Sequence, residues 1–444
     1  MKDIARSAED ILLVGSRNLT ASKTCWSADL KQAMLKRLKG ALRRSLWLLL
    51  SPLRYVLWGR VKAGVPRRIL ILNGTHLGDV IISTGILSVL HAAFPDVEIG
   101  YVAGSWSMPV LKGHPMIAHL HCIDVPIRNR SQQSDKEKKE RYDRQRAQAI
   151  EEIREIGYDW AIALNAWTPD FLDIAWRSGI PVRAAYRRHL LSLLATHLAD
   201  SPETQYLRAE GACQEDLLRA LGVDESALQK RHAYLAPSSE EATLELQSIF
   251  VAKRLKVSRY FVVHMGAGAE VREMPTSFWR QVAEHLSTKG VVIFTGYSER
   301  EARNIDAVIA GITNCVNAAG QLSWDGFVAT VRQARAVFSV DTSICHVAAA
   351  VNTPLIAVYT GITGVGRWRA EGNSVCIWTN HVPCSPCALP DGCPEMKCLD
   401  GIRPAHLTES WAWIESKAKV RPDALFSYVE GRDRSSHGTH DNRG

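Results

Sequence analysis

The chain has 444 residues, 46% of them apolar and 23% charged, enough to bury a sizeable core and too many for one small domain. It contains no run of about eighteen apolar residues and no basic, apolar, small-residue leader, which argues against a spanning helix or a cleaved signal and points to the cytoplasm. A net charge of +8 asks for an anionic partner, whether nucleic acid, a membrane surface or a phosphorylated substrate, and charge alone does not choose among them.

Residues 1–66 read as an extension. From Leu35 to Leu53, the residues Leu35, Leu38, Leu42, Leu46, Leu49 and Leu53 form one apolar stripe on a helical wheel, with Lys36, Arg37, Arg43 and Arg44 opposite and Trp47, Tyr55 and Trp58 nearby. This pattern suits a helix lying in the headgroup region of an anionic bilayer; it also suits a helix packed on the rest of the protein. Pro52 and Arg54 argue against spanning.

From residue 67 the pattern alternates between strand and helix. Strands over Arg68–Asn73, Val97–Val102 and Trp160–Leu164, with a helix over Val80–Phe94, predict a parallel sheet with covering helices across 67–250. The first strand runs into NGTHLGD, ending on Asp79, a carboxylate that either caps the helix or faces a substrate. Arg128–Glu155 carries dense charge of both signs, the mark of an exposed helix preceded by a basic loop, which is either a solvated face or a seat for a phosphorylated acceptor.

A helix over Glu240–Leu255 leads into a second alternation, across 251–420. Its strands are Tyr260–His264, Val291–Thr295, Val337–Val340 and Leu355–Tyr359, and its helices Ser277–Ser287 and Glu299–Ala310. Doubly wound sheets bind ligands beyond the carboxyl ends of their strands. There the sequence reads HMGAGAEVREMP, where Gly266 and Gly268 let backbone N–H groups near an anion and Arg272 adds a charged fork. After a later strand comes DTSICHVAAAV, where Asp341 or Thr342 can cap a helix that carries His346. No GxGxxG and no GxxxxGK[ST] is present, which turns the reading from dinucleotide oxidoreductase or NTPase toward group transfer from a nucleotide.

Six of the ten cysteines are scattered singly, as expected of reduced thiols. The other four, Cys384, Cys387, Cys393 and Cys398, are spaced C-x2-C-x5-C-x4-C in a loop over 384–398, and would either close a tetrahedral structural site for zinc or iron or remain free thiols. His406–Lys419 reads as a closing helix, and 421–444 as a disordered polar tail.

Taken in order, NGTHLGDVIIST, GYDWAIALNA, HMGAGAEVREMP, FTGYSERE, VNAAGQLS, SVDTSICHVAAAVNTPLIAVYTG and the cysteine loop resemble family 9 of the glycosyltransferases, the heptosyltransferases, over about Arg67–Leu407. The resemblance implies an α/β GT-B fold, with two Rossmann-like doubly wound domains facing a central cleft behind the N-terminal amphipathic extension. It implies an inverting enzyme that needs no metal for catalysis, moving heptose from ADP-heptose onto a lipopolysaccharide core or other lipid-linked saccharide at the cytoplasmic face of the inner membrane, without nucleic acid. Asp79 is then the general base, with Thr75 and His76 beside it at the acceptor. Gly266, Gly268, Arg272, Asp341, Thr342, Ser343 and His346 hold the donor, and Glu299 or Glu301 the nucleoside ribose. A branch of the family acting on bacterial autotransporters carries a four-cysteine iron site. Protein O-heptosyl transfer is therefore an alternative, and a non-catalytic nucleotide-sugar binder is another. Asn73, Gly85, Met274 and Ser343 depart from the family's usual Arg, Pro, Trp and Gly, and Ser343 limits how near a phosphate comes. The helix start is expected to hold the pKa of Asp79 low.

Overall fold

The computed structural model describes residues 46 and 49–430, apart from 166–169, 189, 201–207, 253–258, 373, 388, 390–391, 394 and 419–425. Contacts divide the chain into two compact units, Met1–Leu57 and Trp58–Gly444. In the first, residues 46 and 49–57 are helical, and Leu49, Leu53, Tyr55, Val56 and Leu57 are exposed. The part of the leucine stripe before residue 46 lies outside the described residues. Trp58, grouped above with interfacial aromatics, instead donates to the Leu193 carbonyl at 3.0 Å and lies against the Arg183 guanidinium.

The second unit holds two sheets. The first comprises β1 (Arg68–Leu72), β2 (Glu98–Ala103), β3 (His119–Cys122), β4 (Trp160–Ala163), β5 (Val182–Arg187) and β6 (His197–Asp200), in the order β3-β2-β1-β4-β5-β6. The second comprises β7 (Tyr260–His264), β8 (Val291–Phe294), β9 (Cys315–Asn317), β10 (Ala336–Val340), β11 (Leu355–Val358), β12 (Val375–Thr379) and β13 (Phe426–Glu430), in the order β9-β8-β7-β10-β11-β12-β13. Every pairing is parallel. Both sheets thus follow the 3-2-1-4-5-6 order of dinucleotide-binding folds, with a strand added to the second. At Phe426–Glu430, within the stretch read as a disordered tail, FSYVE alternates β-favouring residues and pairs along β12.

Alternation along β1 explains the burial. Ile69 and Ile71 face a cluster with Val80, Ile81 and Leu87, while Leu70 and Leu72 face Tyr142, Ile150 and Phe171 on the other side. The helix Leu77–Ala93 is buried continuously from Val80 to Leu90, as its nearly uninterrupted apolar sequence requires. Its cluster runs on into Ile344, Val347 and Ala348 of the helix Ser343–Ala350, so the two halves share one apolar seam. The charged helix Asp135–Ile156 starts on a Ser134–Glu137 capping box, ends at Gly157 (φ 72°), and turns only Tyr142, Ala149, Ile150 and Ile153 inward.

Candidate active site

Side chains from the segments that follow β1, β3, β7, β10 and β11 come within reach of one another. The first helix begins at Leu77, three residues before the expected Val80, which puts Asp79 inside its first turn. There Asp79 accepts the His76 N–H at 3.3 Å. The capping role is real, yet it does not exhaust the carboxylate. Burial, and after it the Glu210 carboxylate, push the Asp79 pKa up to about 6, against the opposing effects of Arg128, the His76 N–H and the Thr75 hydroxyl. The expectation of a low pKa is therefore corrected: desolvation between two packed halves outweighs the helix start.

Three guanidinium groups, two from the first half and one from the second, converge near this carboxylate. Burial pushes the pKa of His76 down to about 4, helped by the charges of Arg130, Arg128 and Arg272, so the imidazole is neutral at pH 7. Arg130, with its own pKa lowered by burial and by Arg272 and Arg128, is drawn back by Asp79. Arg128 and Arg130 come from the basic loop after β3, and Arg272 from the loop after β7. The Nε atoms of Arg128 and Arg272 are buried and have no hydrogen-bond partner. Three cations gathered beside Asp79 and Asp341 leave an excess of positive charge that suits an anion.

The donor side differs in detail from the sequence reading. A Cβ at Gly266 would collide with the Glu301 carboxylate, and one at Gly268 with the Arg130 guanidinium. Both glycines therefore make room for side chains of this chain. Glu301 accepts from the Ser298 N–H (2.9 Å), the Ser298 hydroxyl (2.7 Å) and the Tyr297 N–H (3.1 Å). Burial raises its pKa, but these bonds and His264 outweigh it and leave the group below the ordinary range. Glu299 is exposed and pairs with Arg303, so of the two acids it is Glu301 that lies against the loop after β7.

Asp341 caps nothing. It accepts from the Thr363 hydroxyl (3.2 Å) and faces Arg272 at 3.8 Å; burial raises its pKa against both partners. Thr342 is the N-cap residue of the helix Ser343–Ala350 but makes no side-chain cap, so the first N–H groups of that helix have no side-chain acceptor. Burial alone takes the pKa of His346 to about 4. Its ring packs on the start of the other half's helix: a methyl built on Gly78 would lie 3.0 Å from His346 Cδ2.

One further assignment changes. Thr75, expected at the acceptor, is 1% exposed, and its hydroxyl is turned to Asn73 and Asp79. The four cysteines share one loop, and Cys393 and Cys387 are near enough to act on the thiol of Cys398. Among the described residues no three His, Cys, Asp or Glu side chains are arranged to hold a metal.

The residues that sequence reasoning passed over are Glu210 and Arg367. Glu210 Oε2 and Arg367 Nε lie 2.7 Å apart, both buried, one from the helix Glu210–Ala220 of the first half and the other from the short helix Val365–Trp368 that follows β11. Nothing in the sequence links positions 157 apart. Arg231 and Glu371 make a second bridge between the halves at 3.0 Å.

Comparison with known proteins now bears on this geometry. Residues 146–397 match the family described as Glycosyltransferase family 9 (heptosyltransferase). The chain belongs to glycosyltransferase family 9. Among its curated relatives are lipooligosaccharide heptosyltransferase 2 of Haemophilus influenzae, 25% identical over 66% of this chain and 82% of the relative, and lipopolysaccharide heptosyltransferase 2 of Escherichia coli K12, 24% identical over 66% and 82%. Among solved structures, the E. coli ADP-heptose LPS heptosyltransferase II superposes with a TM-score of 0.59 at 18% identity, covering 80% of this chain and all of that one. The family 9 glycosyl transferase of Veillonella parvula gives 0.59 at 19% identity, covering 70% and 85%. This glycosyltransferase has the GT-B fold, and the loops described above line the space between its halves.

Proposed function

We propose that this glycosyltransferase transfers heptose from ADP-heptose to an anionic, lipid-linked saccharide of the lipopolysaccharide core type, with inversion at the anomeric carbon. The observation that carries the reading is the placement of Asp79, a half-buried carboxylate with a pKa raised to about 6, across the cleft from Arg272 and the uncapped start of the helix Ser343–Ala350. Asp79 takes the acceptor hydroxyl proton as that oxygen bonds to the anomeric carbon, and the bond from that carbon to the diphosphate breaks on the opposite face. Arg272 and the helix N–H groups receive the charge of the departing diphosphate. Arg128 and Arg130 hold an anionic group of the acceptor. The relatives' names supply the sugar and the acceptor class.

ADP is expected to raise the melting temperature of the purified protein more than UDP, GDP or dTDP, since a ligand that binds only the folded state stabilises it by mass action. A preference for UDP or GDP would move the donor to another sugar. No shift with any of the four would count against a nucleotide-sugar donor.

The exposed Leu49, Leu53, Tyr55, Val56 and Leu57, next to the basic residues of the extension, support peripheral attachment to an anionic leaflet. Among the described residues no helix is long and apolar enough to cross a membrane. Full-length protein should float with phosphatidylglycerol-containing vesicles, while a chain beginning at Trp58 should stay in the dense fraction. Equal behaviour of the two would remove the membrane role.

A further inference from the structure

The loop after β7 is gripped from outside by one turn of a neighbouring helix. Residues 266–273 form no regular structure except a turn of 3-10 helix at Glu270–Arg272, and a glycine-containing segment of this kind loses much backbone freedom when ordered. The first turn of the helix Glu299–Ile309 supplies restraint at both ends. Glu301 fills the space beside Gly266 that a Cβ would need. Arg300, one residue earlier, turns all three guanidinium nitrogens toward the far end of the loop. Nη1 and Nη2 donate to the two carboxylate oxygens of Glu273 at 2.9 and 2.5 Å, and Nε faces Glu270 at 3.4 Å. Glu273 Oε1 also accepts the Ala267 N–H at 2.9 Å, which closes the loop on itself. That N–H, flanked by the two glycines, is thus engaged within the loop rather than free for a phosphate.

What the loop presents is Arg272. It immediately precedes Glu273, in a turn fixed by the Arg272 N–H on the Ala269 carbonyl at 3.0 Å and the Glu273 N–H on the Glu270 carbonyl at 2.9 Å. Its guanidinium stands 3.8 Å from Asp341, and its Nε is buried without a hydrogen-bond partner. A long side chain so lightly held takes its aim from the backbone beneath it. We propose that Glu273 and Arg300 are positioning residues that set Arg272 against the departing diphosphate. The inference rests on the reading of Arg272 as the cation that receives that charge. Arg300 suits the task in two ways. Its planar fork matches both carboxylate oxygens, which fixes Glu273 in direction as well as in distance. Its charge also balances Glu273, which would otherwise leave an unpaired carboxylate next to the cation that meets the diphosphate.

A double-mutant cycle on ADP binding, read by calorimetry with the full-length protein, tests this. Arg272→Met should weaken ADP about tenfold, the worth of one charge-assisted hydrogen bond. Glu273→Gln combined with Arg300→Met keeps the net charge and leaves an amide oxygen for the Ala267 N–H, yet loses the fork; it too should weaken ADP about tenfold. With all three changes the loss should stay at about tenfold, because the clamp acts through Arg272. A loss of about a hundredfold, the product of two independent effects, would overturn the proposal, and so would parent-like affinity in the Glu273→Gln/Arg300→Met protein. Should that protein fail to fold, Arg300→Lys takes its place in the cycle: it keeps the charge without the fork and carries the same expectations. The reading of Arg272 fails separately. No loss in Arg272→Met would remove that reading and the proposal together, whereas a loss there with independent effects in the cycle would remove the proposal alone.

Discussion

Asp79→Asn is expected to lower turnover by about a hundredfold or more while leaving nucleotide affinity unchanged. Asparagine has the same shape, and its side-chain oxygen can still accept the His76 N–H that Asp79 accepts at 3.3 Å, so the start of the helix survives and the variant loses only a proton acceptor. Near-normal turnover would return Asp79 to the role of a cap. The parent's pH profile carries a linked expectation. The base works deprotonated, and burial with the Glu210 carboxylate pushes its pKa up to about 6. Turnover should therefore be level above that pH and fall about tenfold per unit below it. An acid limb near the ordinary carboxylate range would mean that the helix start governs this group after all. Glu210→Gln removes a charge that raises the Asp79 pKa, so the limb should move to lower pH in that variant.

The framework was legible because parallel strands buried on both faces read as short apolar runs: ILIL, YFVVH and AVFSV each lie within a residue of a strand in the structure. Boundaries suffered where function bent the pattern. Gly78 and Asp79 look like loop residues, yet they belong to the helix, and Gly78 is small because His346 packs against that turn. The carboxylate itself was found, but its pKa moved opposite to expectation, because a helix start is visible in sequence and the desolvation supplied by another half of the molecule is not. Arg128 and Arg130 were seen only as part of a charge run. Their convergence with Arg272 depends on how two sheets face each other, which no local spacing encodes. Glu210 and Arg367 were invisible for the same reason.

Arg367→Met should destabilise the fold by about 3–5 kcal/mol near neutral pH, the cost of leaving a buried charge without its partner. Arg367 Nε is 2.7 Å from Glu210 Oε2, and both side chains are less than a tenth exposed. Burial already raises the pKa of Glu210, with Arg367 holding it back. Without the guanidinium, the folded state's carboxyl titrates higher still, while the unfolded chain's keeps its ordinary value. The unfolded state then binds fewer protons than the folded one between those two values, so stability rises as pH falls through that window. The deficit of Arg367→Met should accordingly be largest above the raised pKa and vanish below the ordinary carboxylate range. Glu210→Leu combined with Arg367→Met removes both charges and should recover most of the loss at pH 7, because a matched apolar pair costs little where an orphaned charge costs much. Urea unfolding of the parent and both variants at several pH values measures each quantity. A deficit that ignores pH and persists in the double variant would assign the loss to packing, since Arg367 also lies 5.0 Å from the centre of the Trp368 ring. Among the described ion pairs, that of Arg231 and Glu371 would then be the one holding the halves together.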